Sequence, residues 1–174
     1  MRIIKTKVYY FDELPENEKR KAITRLYDLN INHDWWEQVY EDAENIGLKL
    51  TGFDIGRGNS CEGNFTIDAS EVCANIFRDH GVQCETYKAA ESFVKIWQPV
   101  FDEYMEKEGI ELEDKLMEME TDFLKLVLGD YLIMLRNEYE YQTSEAAIIE
   151  SIIANEYEFT MEGELSWNQI CSLD

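Results

Sequence analysis

Leu112, Leu116, Met119, Phe123, Leu126 and Ile133 recur three, four or seven residues apart, the period of one face of an α-helix. After Gly109, the stretch from about Glu111 to Tyr139 therefore reads as one long helix. Whatever else the chain forms has to pack along it.

The flanking segments alternate between strand and helix signals. Residues 2–11 (RIIKTKVYYF) mix β-branched and aromatic side chains and read as a strand. A helix start follows at Asp12, with Pro15 suited to a first turn and Glu16 and Glu18 at the positive end of the helix dipole. It is expected to run to about Leu29, burying Ala22, Ile23, Leu26 and Leu29. A second helix, from about Asp34 to Asn45, is expected to end at a Gly47 C-cap. At about 100° per residue, Trp35, Trp36, Val39, Tyr40, Ala43 and Ile46 share one arc, with Trp36 in the core and Trp35 at its edge. Asp34, Glu37, Glu41 and Glu44 fall opposite, as a carboxylate row.

Residues 48–67 read as two strands joined by a Gly/Asn/Ser loop. A third helix opens at Asp68-Ala69-Ser70-Glu71 and ends near Gly81. A fourth is capped at Thr86 and bent near Pro99. A last helix from about Ser144 to Ala154 precedes a hairpin of Tyr157–Thr160 and Glu164–Trp167, turning at Glu162-Gly163. The pattern is α+β: about five or six bundled helices beside a small, mainly antiparallel sheet. No linker-like stretch divides the 174 residues, which read as a single domain.

Charge narrows function more than fold. Sixteen Lys+Arg face 37 Asp+Glu, a net charge of −21. No basic residue follows Arg136, although nine acids do. A field of that sign disfavours direct nucleic-acid and anionic-membrane contact and attracts basic protein surfaces. The four cysteines (Cys61, Cys73, Cys84, Cys171) form no C-x-x-C, and with only His33 and His80 they make a poor zinc set. They read as thiols of a reducing cytoplasm. No apolar run suits a signal peptide or a membrane span, and no cofactor is expected.

Asp102 to Asp122 holds ten acids and two lysines. Helix neighbours three or four apart lie about 5–6 Å from one another, and duplex DNA carries a charge about every 1.7 Å of axis. Acid-rich helix faces can therefore approach phosphate density, although charge runs are ordinarily solvated surface. The residues expected to contact a partner are Asp34, Glu37, Glu41 and Glu44 on one helix, and Glu111, Asp114, Glu118 and Asp122 on the long one. Trp35 is a candidate aromatic anchor. Arg57, an isolated cation in the Gly56–Gly63 loop, is the candidate polar contact outside the acid rows, although the loop lacks the G-K-[ST] of a phosphate loop. Its bland reading is a hairpin turn with Arg57 paired to a local carboxylate. A Cys–His pair can be drawn between Cys61 or Cys84 and His33 or His80, but no motif supports it, and a lone histidine at a helix end is ordinarily structural.

FDELPENEKRKAI, DWWEQVYEDAENIGLKLTGFDIGRGNSCEG and IIANEYEFTMEGE resemble small phage- and prophage-borne proteins often labelled "antitoxin of toxin–antitoxin stability system". The resemblance covers about the first hundred residues and Glu150–Glu162. It implies a mobile-element origin and a host-directed role, and it carries no catalytic residues. The expectation is a non-enzymatic acidic inhibitor in a bacterial host cytoplasm. Its partner would be a basic, nucleic-acid-handling protein, such as a nuclease or a restriction or CRISPR component. The alternative is an antitoxin-like or adaptor protein that docks through apolar surface near Trp35 and Trp36.

Overall fold

A computed structural model describes residues 7–107 and 109–166. Among them, strands and helices run β1 (Tyr9–Tyr10), α1 (Glu16–Arg25), α2 (Glu37–Ile46), β2 (Leu48–Asp54), β3 (Ser60–Phe65), α3 (Ala69–Asp79), α4 (Glu85–Glu106), α5 (Ile110–Gln142), α6 (Glu145–Ala154) and β4 (Glu158–Phe159). The fold is α+β, as expected. Its antiparallel strands are divided between two two-stranded sheets, β1–β4 and β2–β3. The chain forms two compact units, Met1–Trp35 with Glu138–Asp174, and Trp36–Asn137.

In the first unit, a single 3-10 turn at Phe11–Glu13 leads into α1. Pro15 is the N-cap of α1, where its missing N–H costs nothing. The helix stops at Arg25, short of the expected Leu29, because the chain enters successive turns from Leu26. Ser144 caps α6 by accepting a hydrogen bond from the Ala147 N–H at 3.2 Å, as its sequence position suggested. Phe11, Leu14, Ala22, Ile148, Ile152, Tyr157 and Phe159 form the buried cluster. The turn at Glu162-Gly163 exists, with Gly163 at φ +70° and Phe159 bridged to Leu165. A Cβ on Gly163 would press on the Glu18 carbonyl, so only glycine fits there. Residues 2–6 of the expected first strand, and Trp167 of the hairpin, lie outside the described residues.

In the second unit, Gly47 ends α2 in the left-handed conformation, as expected. Its φ of +88° turns the chain straight into β2, whose Leu48 and Leu50 are buried. Phe93 of α4 stacks on Phe123 of α5 with ring centroids 4.4 Å apart, and Phe65 of β3 meets Phe123 at 5.4 Å. Trp97 lies in this core and donates its indole N–H to Glu120 Oε1 at 3.2 Å. Such a bond is what a buried indole needs. Pro99 is accommodated within α4. The cap of α4 is Cys84, and Thr86 instead sits buried inside the first turn.

The buried stripe of α5 is Leu116, Phe123, Val127, Tyr131 and Leu135. Leu126 and Ile133, expected on that face, are 58% and 52% exposed. The period was right, but the stripe drifts along so long a helix. From Phe123 onward it follows steps of four, through Val127 and Tyr131 to Leu135.

Candidate functional site

The second unit contains a cavity of about 410 Å³, within the range of small-ligand sites. Asp42 of α2 lines it, together with Asp79, His80 and Gly81 at the end of α3. Cys84, Glu85 and Thr86 at the start of α4, and Asp130, Ile133 and Met134 of α5, complete it.

A polar network fixes one wall. His80 is the C-cap of α3, and its Nδ1 lies 2.6 Å from Thr86 Oγ1. Tyr131, fully buried, donates its hydroxyl to Asp42 Oδ2 at 2.8 Å. His80 Nε2 is 3.5 Å from the same carboxylate oxygen, close enough for electrostatic attraction. The contact is too long and poorly directed for a good hydrogen bond, so Nε2 is buried without a hydrogen-bond partner. Attraction to His80, and then the Tyr131 hydroxyl, hold the Asp42 carboxyl below its usual range against partial burial. Burial, followed by the bond to Asp42, pushes the Tyr131 phenol strongly upward.

The other cavity carboxylates differ in partnership. Asp79 pairs with Arg78 at 2.6 Å and Glu85 with Lys88 at 2.6 Å. Asp130 has no hydrogen-bond or ion-pair partner among the described residues. Burial first, and then Glu85, raise its carboxyl above the usual range. No three of the described His, Cys, Asp and Glu side chains converge as a metal site.

The cavity brings together one of the drawn Cys–His combinations, Cys84 and His80. His80 Nδ1 is taken by Thr86 and Nε2 is held against Asp42. Among the described residues no hydrogen bond joins His80 to the Cys84 thiol, and the imidazole ties the end of α3 to Thr86 of α4. Cys61 lies on β3 opposite Phe53, and partial burial raises its thiol. Cys73 is buried in α3, and desolvation pushes its thiol up to about 12. His33 is exposed.

The acidic residues expected to meet a partner are all exposed. Glu37, Glu41 and Glu44 form one row on α2, opposite buried Val39, Ala43 and Ile46. Asp34 does not belong to that row, since α2 begins at Glu37. The helix starts late because the chain turns through Trp35 and Trp36, which adopt no regular helix. Glu111, Asp114, Glu118 and Asp122 share one stripe of α5, away from Leu116 and Phe123. Asp122 is paired with Lys125 at 2.9 Å, which removes it as a free charge. Glu37, Glu41, Glu44, Glu111, Asp114 and Glu118 have no basic partner among the described residues.

Trp35 and Trp36 are both half-buried, so the expected core placement of Trp36 is corrected. Trp35 packs edge-on to Tyr139 at 5.5 Å, and Trp36 edge-on to Phe53 at 5.7 Å. The glycine-rich loop is organised by Asp54 rather than Arg57. Asp54 accepts from the Gly56 N–H at 2.7 Å and the Gly58 N–H at 2.9 Å. Arg57 is exposed with no carboxylate partner among the described residues, contrary to the pairing expected in a plain turn.

Sequence reasoning missed Asp42, Thr86, Asp130 and Tyr131 as a group. One signal was present. At about 100° per residue, Asp42 lies about 60° from Val39 and about 100° from Glu41, an acid on the packed side of its helix.

The chain matches no family model, no curated protein and no solved structure. Among the described residues, no helix is long and apolar enough to cross a membrane.

Proposed function

We propose that the protein is an acidic inhibitor that occupies the nucleic-acid-binding surface of a basic partner, such as a nuclease or a restriction or CRISPR-type component. The observation that carries this reading is the pair of exposed carboxylate rows on α2 and α5, nearly all without basic partners among the described residues. From Glu111 to Glu118 the helix rises about 10 Å, so the three unpaired carboxylates of that stripe place a charge about every 5 Å. One DNA strand carries a charge about every 3.4 Å of axis. A single row thus reaches about three-fifths of one strand's density, too little for a duplex but close to one backbone. The favoured target is therefore a groove that grips a single strand. The resemblance to phage-borne proteins agrees with an inhibitor of host defence.

The test is capture of partners from a bacterial lysate, then purified binding between about 50 and 200 mM salt. The captured protein should be basic, should release the inhibitor as salt rises, and should lose it to added single-stranded DNA. Glu111→Gln, Asp114→Asn and Glu118→Gln together should weaken binding at least tenfold, as expected for about three lost phosphate-like contacts. Binding indifferent to salt and to these changes removes the mimicry reading.

A further inference from the structure

The carboxylate rows leave the cavity of the second unit unexplained. Its wall pairs apolar side chains, Ile133 and Met134, with an acid that no described residue neutralises, Asp130. A partly buried carboxylate without a partner is unfavourable unless something binds to it. Asp42, whose Oδ2 is held by Tyr131, lines the same cavity. His80, on the same wall, has a side chain only 9% exposed and an Nε2 without a hydrogen-bond partner. Unpartnered buried polar atoms are few in native folds and call for an explanation. The His80 ring thus leaves hydrogen-bonding capacity unused on the cavity wall. The cavity thus presents carboxylate oxygens beside apolar surface. Because no three of its groups converge on a metal position, a compact metal ion does not suit it.

We propose that this cavity binds an organic cation on an aliphatic stem, with an ammonium or guanidinium head against Asp130 and methylenes against Ile133 and Met134. The head donates hydrogen bonds to the Asp130 carboxylate, and the stem covers the apolar wall. A cavity of about 410 Å³ accepts a ligand larger than the head group alone. The same chemistry comes from a free polyamine or from a lysine or arginine side chain of a polypeptide. This site does not depend on the carboxylate rows of α2 and α5.

The test is calorimetric titration of the full chain with spermidine, with a capped arginine tripeptide, and with guanidinium and butylguanidinium. One saturable site is expected for spermidine or the tripeptide, and the tighter of the two identifies the source. Butylguanidinium should exceed guanidinium by about fourfold for each methylene buried. Asp130→Asn should weaken binding about tenfold or more, whereas Glu118→Gln, an equal charge change on the outer stripe, should change it less than about twofold. Ile133→Ser, at an exposed position that does not endanger folding, should shrink the stem-length effect, which Met134 alone then supports. The proposal is overturned if neither probe saturates, if Asp130→Asn and Glu118→Gln act equally, or if stem length has no effect in the unaltered protein.

Discussion

In the unit holding Phe11 and Phe159, the buried cluster is made of hydrophobic side chains from β1, α1, α6 and β4 and their flanking residues. In the Trp36–Asn137 unit, an aromatic core around Phe93 and Phe123 is joined by a polar node. There Tyr131, Asp42, His80 and Thr86 tie α2, the end of α3, the start of α4 and α5 together. Hydrophobic burial is non-directional, so the first arrangement gains stability without demanding one geometry. The node demands particular partners at particular distances and makes its unit sensitive to pH. It also places the carboxylates of the cavity. A site that needs fixed polar groups is therefore expected in the second unit.

The comparison can be broken by mutation. Phe123→Ala removes a fully buried ring stacked on Phe93 and should cost about 3–5 kcal/mol, read from the urea midpoint. Tyr131→Phe keeps the volume but takes the donor from Asp42, and should cost about 1–2 kcal/mol near neutral pH. Most of that loss should vanish in acid, where Asp42 no longer needs the hydroxyl. Ile152→Val, in the hydrophobic cluster, should cost about 0.5–1.5 kcal/mol by the same amount at every pH. A Tyr131→Phe penalty as flat with pH as that of Ile152→Val would show that the node adds nothing beyond packing.

Local pattern made most elements legible. Gly47 and Ser144 marked helix ends through backbone geometry and capping that depend on few neighbours. The α2 acid row followed from its period, because a short helix has no room for drift. The α5 stripe was misassigned at Leu126 and Ile133, since from Phe123 onward the buried positions step by four, through Val127 and Tyr131, and no local signal marks that change of step. The cavity was not legible. Its groups come from residues 42, 79–86 and 130–134, and no local spacing links segments so far apart. His80 could be read as structural from its helix-end position, but its pairing with Thr86 needed the turn between α3 and α4 to close.

The smallest expected effect separates the two acids of the node and cavity by sign. The Asp42 carboxyl titrates below its ordinary value of 3.8, so its ionised form is favoured in the folded protein. Its contribution is complete above about pH 4 and is lost as pH falls through the lowered folded value. Asp130 titrates above that ordinary value, so its ionised form is disfavoured by folding. Its penalty is present at neutral pH and is relieved as acid protonates it. Asp42→Asn should therefore lower the urea midpoint at pH 7 and flatten the acid limb of the stability profile. Asp130→Asn should raise the midpoint slightly at pH 7 and leave it unchanged near pH 3. Both side chains are partly open to solvent, which screens the effects and keeps them small. Equal signs for the two variants at pH 7 would mean that Asp130 is not the uncompensated member of the pair. The cavity would then lose the group that most needs a bound cation.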